Sequence, residues 1–382
     1  MGKRRLLVPE LWLLSGAFFF IFLGPGAIQQ HLDRALGEKR FLALATVYLS
    51  FCFWRVFVGV TLRALGGFAS ELLGAATYFG FVATLWLSTG WVPVLAAAAL
   101  WGWGAASLWI TSQAQLLDAT ERHGASSGLF YAALTAGQAL GVVLLGLAAT
   151  RDALLLTSLA LGVPGLVLLC FVPRTHARRE GFSLAGFWRV ARRRPVVPVG
   201  VILLCSSLSY GILLGVFSEI SRVATGSQWP AVAFYVARVA LCFPAGALGD
   251  AIGQGRVLKA SFLLAAAGIL AAALWRGSPG LSLALCAGAM AMQSTLAQSS
   301  AMALMGQAAP SESRHLALGA AFVWRDLGIV LPLFVAGALR GLLPSGAAVG
   351  EVFRYALFGF AAVFVGCAFL CGKLGAQARR LL

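Results

Sequence analysis

Apolar residues along this chain come in long runs, and most charged residues stand between the runs rather than inside them. The longest runs reach about 18–24 residues, enough to cross a hydrocarbon core ~30 Å thick at ~1.5 Å per residue. Backbone groups inside lipid must bond within their own segment, so runs of this length are helices. The pattern predicts twelve spans, near 11–29, 41–60, 70–88, 92–112, 127–148, 154–171, 197–220, 231–248, 257–275, 281–304, 316–339 and 352–372. The expectation is an all-α membrane protein with twelve transmembrane helices.

The landmarks between the runs occur twice, at an offset of 187 residues. Gly24, Gly59, Gly66 and Gly141 recur as Gly211, Gly246, Gly253 and Gly328. A period this long excludes small solenoid repeats. In a hydrophobic chain it points to two structural halves with a site between them. The expected organisation is a six-helix half over 1–172, a basic linker over 173–196 and a second six-helix half over 197–382. The linker region from Pro173 to Pro198 carries Arg174, Arg178, Arg179, Arg189, Arg192, Arg193 and Arg194 against a single acid, Glu180. Within it, Phe182 to Trp188 followed by Arg189 suggests an amphipathic helix on the membrane surface. A solvated basic linker that only sets topology is the plainer alternative.

Positive charge orients the chain. With the N-terminus inside, cytoplasmic segments hold 18 Lys and Arg and external segments hold 8. Both termini are therefore expected in the cytoplasm of a cell with the protein in its plasma (inner) membrane. Lys3, Arg4 and Arg5 followed by an apolar run resemble a signal peptide, but the run is long and lacks a small-residue cleavage site. It reads as a retained first span.

Composition agrees with the class. Sixty per cent of the 382 residues are hydrophobic, 11% are charged, and mean hydropathy is +0.88. The net charge of +16 lies mostly in loops without an aromatic platform, which argues against nucleic acid. The seven cysteines fall in apolar runs without zinc-type spacing, so neither a disulfide framework nor a metal is expected. No cluster of His, Cys or acids has nucleophile geometry, and no phosphate-binding loop of the G-x-x-x-x-G-K-[ST] type occurs. No enzyme activity and no cofactor are expected. Any driving force for transport is then a gradient.

One loop motif is specific. Between spans eight and nine the chain reads Gly246-Ala-Leu248-Gly-Asp250-Ala-Ile-Gly253-Gln-Gly-Arg256. This resembles the G-x-L-x-D-x-x-G signature of the major facilitator superfamily, at the loop where that superfamily repeats it. The glycines suit a tight turn between closely packed helices. The resemblance implies that Asp250 faces the N-terminus of a neighbouring helix in one conformation and releases it in another. A plain turn with a solvated Asp is the alternative. The first-half copy, Gly59-Val-Thr61-Leu-Arg63-Ala-Leu-Gly66, has Arg63 where the acid belongs, which puts a symmetric switch in doubt.

Gly74-Ala-Ala-Thr77-Tyr78, then Gly104-Ala-Ala-Ser107-Leu-Trp109 and Gln113, resemble the "uncoordinated" (unc-type) branch of the superfamily. That resemblance implies a rival function, since animal members of the branch are channel regulators and trafficking partners.

Charge near the bilayer centre costs at least ~2.5–3.5 kcal/mol and marks functional positions. Helical rise places Arg238 about 12 Å deep, Arg325 and Asp326 about 14–15 Å deep, and Arg55 about 6 Å deep, where it can snorkel. Arg238 and Arg325 are candidate contacts for an anionic solute, since guanidinium matches carboxylate or phosphate and stays charged. Asp326 either pairs with an arginine or carries a coupling proton (H+). Gln138 occupies the repeat position of Arg325. Gln293, Gln298 and Gln113 complete the candidate polar set, with helix-to-helix hydrogen bonding as the plainer role. Glu10 and Glu71 read as interfacial, Trp101 and Trp109 as packing or interface-belt residues, and Gly24-Pro25-Gly26 as a kink in span one.

The reading is a monomeric secondary transporter in the lipid bilayer, moving a small organic anion by alternating access. The rival is a membrane partner protein that regulates or escorts another membrane protein. The carrier requires a central cavity lined by at least one of the deep arginines.

Overall fold

The computed structural model describes residues 8–88, 90–173, 183–193, 196–226, 229–275, 277–342 and 357–371. Within these residues the chain is helical and contains no strand. The first half comprises α1 (Pro9–Leu23), α2 (Arg40–Leu65), α3 (Gly67–Leu87), α4 (Trp91–Ala119), α5 (His123–Gly146) and α6 (Arg151–Cys170). The second comprises α7 (Val196–Ile212), α8 (Trp229–Ile252), α9 (Gln254–Leu274), α10 (Pro279–Ala308), α11 (Arg314–Leu342) and α12 (Leu357–Cys371). After Ile212 the seventh helix continues through a π-helical turn, Leu213–Phe217, into Ser218–Thr225.

Nine segments among the described residues are individually long and apolar enough to cross a membrane, the first of them, Pro9–Leu65, holding both α1 and α2. Large apolar side chains cover their outer faces, among them Leu42, Leu49 and Phe53 on α2 and Leu264 on α9. An outward apolar surface with polar residues inside suits lipid as the solvent. The chain is a multi-pass membrane protein.

The two halves repeat one packing scheme. In the first, α1 packs on α5, α2 on α4 and α3 on α4; in the second, α7 packs on α11, α8 on α10 and α9 on α10. Close approaches recur as well. A Cβ on Gly141 of α5 would lie 2.3 Å from the Leu23 carbonyl oxygen of α1, and one on Gly328 of α11 would lie 2.2 Å from the Leu204 carbonyl oxygen of α7. The halves join along α5 against α8 and along α2 against α11, again a symmetric pair.

Three local expectations change. The Gly-Pro-Gly segment ends α1 instead of kinking it, and a 3₁₀ turn, Ala27–His31, follows. The signature between spans eight and nine is helix up to Ile252, so only Gly253 turns the chain, with φ at +97°. Its repeat mate Gly66 does the same between α2 and α3 at φ +78°. Both conformations are left-handed and favour a residue without Cβ. Third, Glu71 is buried, and its carboxylate accepts a hydrogen bond from Ser112 at 2.9 Å.

In the linker, a short helix (Leu184–Ala191) buries Phe187 and Val190 and packs chiefly on α11. Ser183 caps it, accepting from Gly186 N at 2.9 Å. Leu184 and Trp188 remain exposed. The basic N-terminal cluster, Arg174, Arg178, Arg179 and Arg194 of the linker, and the start of span twelve lie outside the described residues.

Candidate functional site

A small cavity of about 50 Å³ lies between the halves. The first half lines it with Phe22, Gln29, Tyr48, Phe51, Tyr78, Trp101, Trp109 and Gln138; the second contributes Tyr210, Arg238, Gln298 and Arg325. The lining is asymmetric in charge. Both cations come from the second half, while most of the aromatic surface comes from the first.

Arg238 is 3% exposed, and its Nη2 donates to Gln298 Oε1 at 3.0 Å. Its guanidinium sits 5.7 Å from the Tyr210 ring and 5.6 Å from the Phe234 ring. Among the described residues it has no carboxylate partner. Arg325 donates from Nε and Nη2 to Asp326 Oδ1 at 2.9 and 2.6 Å. Its guanidinium also lies 5.2 Å from the rings of Phe51 and Trp109. Such cation–ring contacts stabilise a buried charge without neutralising it.

Asp326 is fully buried, and its second oxygen accepts from Arg55 Nε at 2.5 Å. Arg55 is 0% exposed, with its guanidinium 4.1 Å from the Phe51 ring. The expectation that Arg55 snorkels to the surface is therefore overturned. It turns inward because Asp326 on α11 of the opposite half supplies a charge partner that water would otherwise provide. Its position on α2 gave no hint of this, since helical rise measures depth and not direction.

Gln138 and Gln298 are also placed at the cavity. Gln138 Nε2 donates to Tyr210 Oη at 2.7 Å, a bond between the halves. Tyr48 Oη donates to Gln29 Oε1 at 2.9 Å, and Trp109 Nε1 donates to Tyr78 Oη at 3.0 Å. Trp101 and Trp109 thus line the cavity, whereas the sequence suggested packing or interface roles. Gln113 and Gln293 are buried outside the lining; Gln113 Nε2 donates to Tyr131 Oη at 2.9 Å.

At the other end of α8, the Asp250 carboxylate accepts from Gly124 N at 2.9 Å and Ala125 N at 2.8 Å. These are orphan donors in the first turn of α5, where negative charge is favoured by the helix dipole. Gly246 lets the helices touch here: a Cβ would lie 2.0 Å from the Gly124 carbonyl oxygen. Arg256 donates to Ile252 O at 3.4 Å. On the same side, Arg314 at the start of α11 pairs with Asp118 at the end of α4.

The overall fold has counterparts in solved structures. A variant of the Escherichia coli fucose:proton symporter FucP superposes with a TM-score of 0.74 at 15% identity, covering 97% of this chain and 99% of that one. FucP in the outward conformation gives 0.73 at 14% identity, covering 96% and 99%. The human organic anion transporter MFSD10 gives 0.65 at 16%, covering 95% and 97%. The fold is that of the major facilitator superfamily.

Sequence similarity is narrower. UNC93-like protein 3 of Arabidopsis thaliana is 27% identical over 120 residues, 31% of this chain. The match spans about a quarter of that relative's length, 26%. No family model matches the chain. The cavity lining draws on α1, α4, α7 and α10, on α2, α5, α8 and α11, and on Tyr78 of α3 and Gln29 in the 3₁₀ turn after α1.

Proposed function

We propose that the protein is a secondary transporter that carries a small organic anion across the plasma membrane by alternating access, with both termini cytoplasmic. The observation that carries this reading is the pair Arg238 and Arg325 in one cavity between the halves. Guanidinium binds carboxylate or phosphate in a planar fork and remains charged at any working pH. Two fold neighbours are named as a symporter and an organic anion transporter. The Asp250 contact with α5 serves in this reading as a latch that opens in the opposite conformation.

Proton coupling has one candidate at the cluster, Asp326. Neutralising it would leave Arg55 and Arg325 without a counter-charge, so in this reading it is a structural pair and the anion is the species that changes.

A non-transporting partner protein is the second reading, implied by the unc-type resemblance of the Gly74–Tyr78 and Gly104–Gln113 stretches. It calls for deep arginines that are paired and away from any cavity. Melting temperature measured against a panel of organic anions, cations and neutral solutes separates the two. An anion that raises it in the wild type and not in Arg238→Ala or Arg325→Ala is the expected result. Stabilisation by a cation changes the substrate class, and no stabilisation across the panel turns the reading to the partner protein.

A further inference from the structure

We infer that the cavity's solute is an organic dianion built on a flat ring. This deepens the anion-carrier reading and rests on it.

Charge balance comes first. Among the described residues, Arg55, Arg325 and Arg238 together face a single carboxylate, Asp326, which Arg55 and Arg325 already share. The balance of the buried cluster is two positive charges. Arginine cannot shed its proton to relieve this, unlike a buried lysine. A monoanion would leave one buried guanidinium uncompensated, and a buried charge without a partner is costly. A dianion closes the balance.

The two free positions are also separate in their surroundings. Arg238 is held by Gln298 and the rings of Tyr210 and Phe234, while Arg325 is held by Asp326 and the rings of Phe51 and Trp109. Neither guanidinium has all its donors engaged, and both border the same space.

The ring body follows from the remaining wall. Tyr48, Tyr78, Trp101 and Trp109 line the cavity from the first half. The Tyr48 hydroxyl and the Trp109 indole already donate to other residues of the wall, Tyr48 to Gln29 and Trp109 to Tyr78. What they leave for the solute is π surface, which suits a planar apolar body in offset or edge contact. The two negative charges can stand on one head group or at opposite ends of the ring, and the same chemistry covers both.

The test uses the purified full chain in detergent at pH 8 with three probes of similar ring size. Benzoate carries one charge and terephthalate two, at opposite ends. Phenyl phosphate carries about two on one head, since a phosphate monoester loses its second proton near pH ~6. Affinity is read by isothermal titration and by melting temperature. At least one dianion is expected to bind about tenfold or more tightly than benzoate, about 1.4 kcal/mol. The better of the two tells how the charges are spaced. Arg238→Gln is expected to remove the preference, so that dianion and benzoate bind alike.

Benzoate binding as tightly as the better dianion overturns the inference and leaves the anion carrier standing. Binding of neither dianion overturns it too. If benzamide then binds while all three anions fail, the anion-carrier reading falls with it. The wild-type comparison decides the matter even if the variant does not fold.

Discussion

Asp326 joins the two halves at the centre of the protein, bonding Arg55 across 271 residues of chain at 2.5 Å while its neighbour Arg325 occupies the other oxygen. All three residues are buried. Removing one partner of a buried ion pair costs about 3–5 kcal/mol because the other charge is stranded. Asp326→Asn is expected to lose about that much stability in a denaturation titration. Adding Arg55→Gln should recover part of it, with a coupling of about 0.5–3 kcal/mol. Strictly additive losses would show that the pair is not coupled.

The exposed pair behaves differently. Asp118 and Arg314 also connect the halves, but the Asp118 side chain is 42% exposed. Such pairs contribute about 0–1 kcal/mol and are screened by salt. Asp118→Asn should therefore change stability by less than ~1 kcal/mol, and the difference should vanish near 1 M salt. A loss equal to that of Asp326→Asn would contradict the ranking by burial.

Asp250 satisfies two backbone donors of α5. Removing a side-chain cap of this kind costs about 0.5–2 kcal/mol. Asp250→Ala is expected to speed amide hydrogen exchange at Gly124 and Ala125 several-fold or more, while the α1–α5 contact at Gly141 keeps its protection. Unchanged exchange at both amides would remove the latch from the argument.

Two glycine substitutions should give opposite signs. Gly246→Ala drives a methyl into the backbone of α5, 2.0 Å from an oxygen that cannot rotate away. Overpacking of this type costs about 1–3 kcal/mol. Gly288 on α10 has nothing within 4 Å of its Cβ position. Gly288→Ala should instead stabilise by up to ~1 kcal/mol through helix propensity. Thermal melts of the two variants side by side check this.

The amino-acid sequence determined the elements. Lipid removes the choice of secondary structure, so runs of apolar residues alone dictate helices, and the 187-residue repeat dictates that they pack in two similar sets. The glycines at 66 and 253 were legible as turns because φ above zero selects the residue that lacks Cβ. Depth along a helix was legible too, since rise per residue is constant. Depth pointed to Arg238 and Arg325, the 187-residue offset from Arg325 pointed to Gln138, and the family resemblance pointed to Gln298 in span ten; all four line the cavity.

Which way each of them points was decided by tertiary structure. Arg55 and Glu71 looked interfacial, yet Asp326 and Ser112 hold them inside. Gln113 and Gln293 matched the polar pattern of the site, yet they lie outside its lining. Trp101 and Trp109 looked like packing residues, yet they form its wall. Depth is a one-dimensional property that a single helix carries alone. Azimuth around the helix acquires meaning only when another helix, often from the opposite half, supplies the partner that makes burying a charge or an amide affordable.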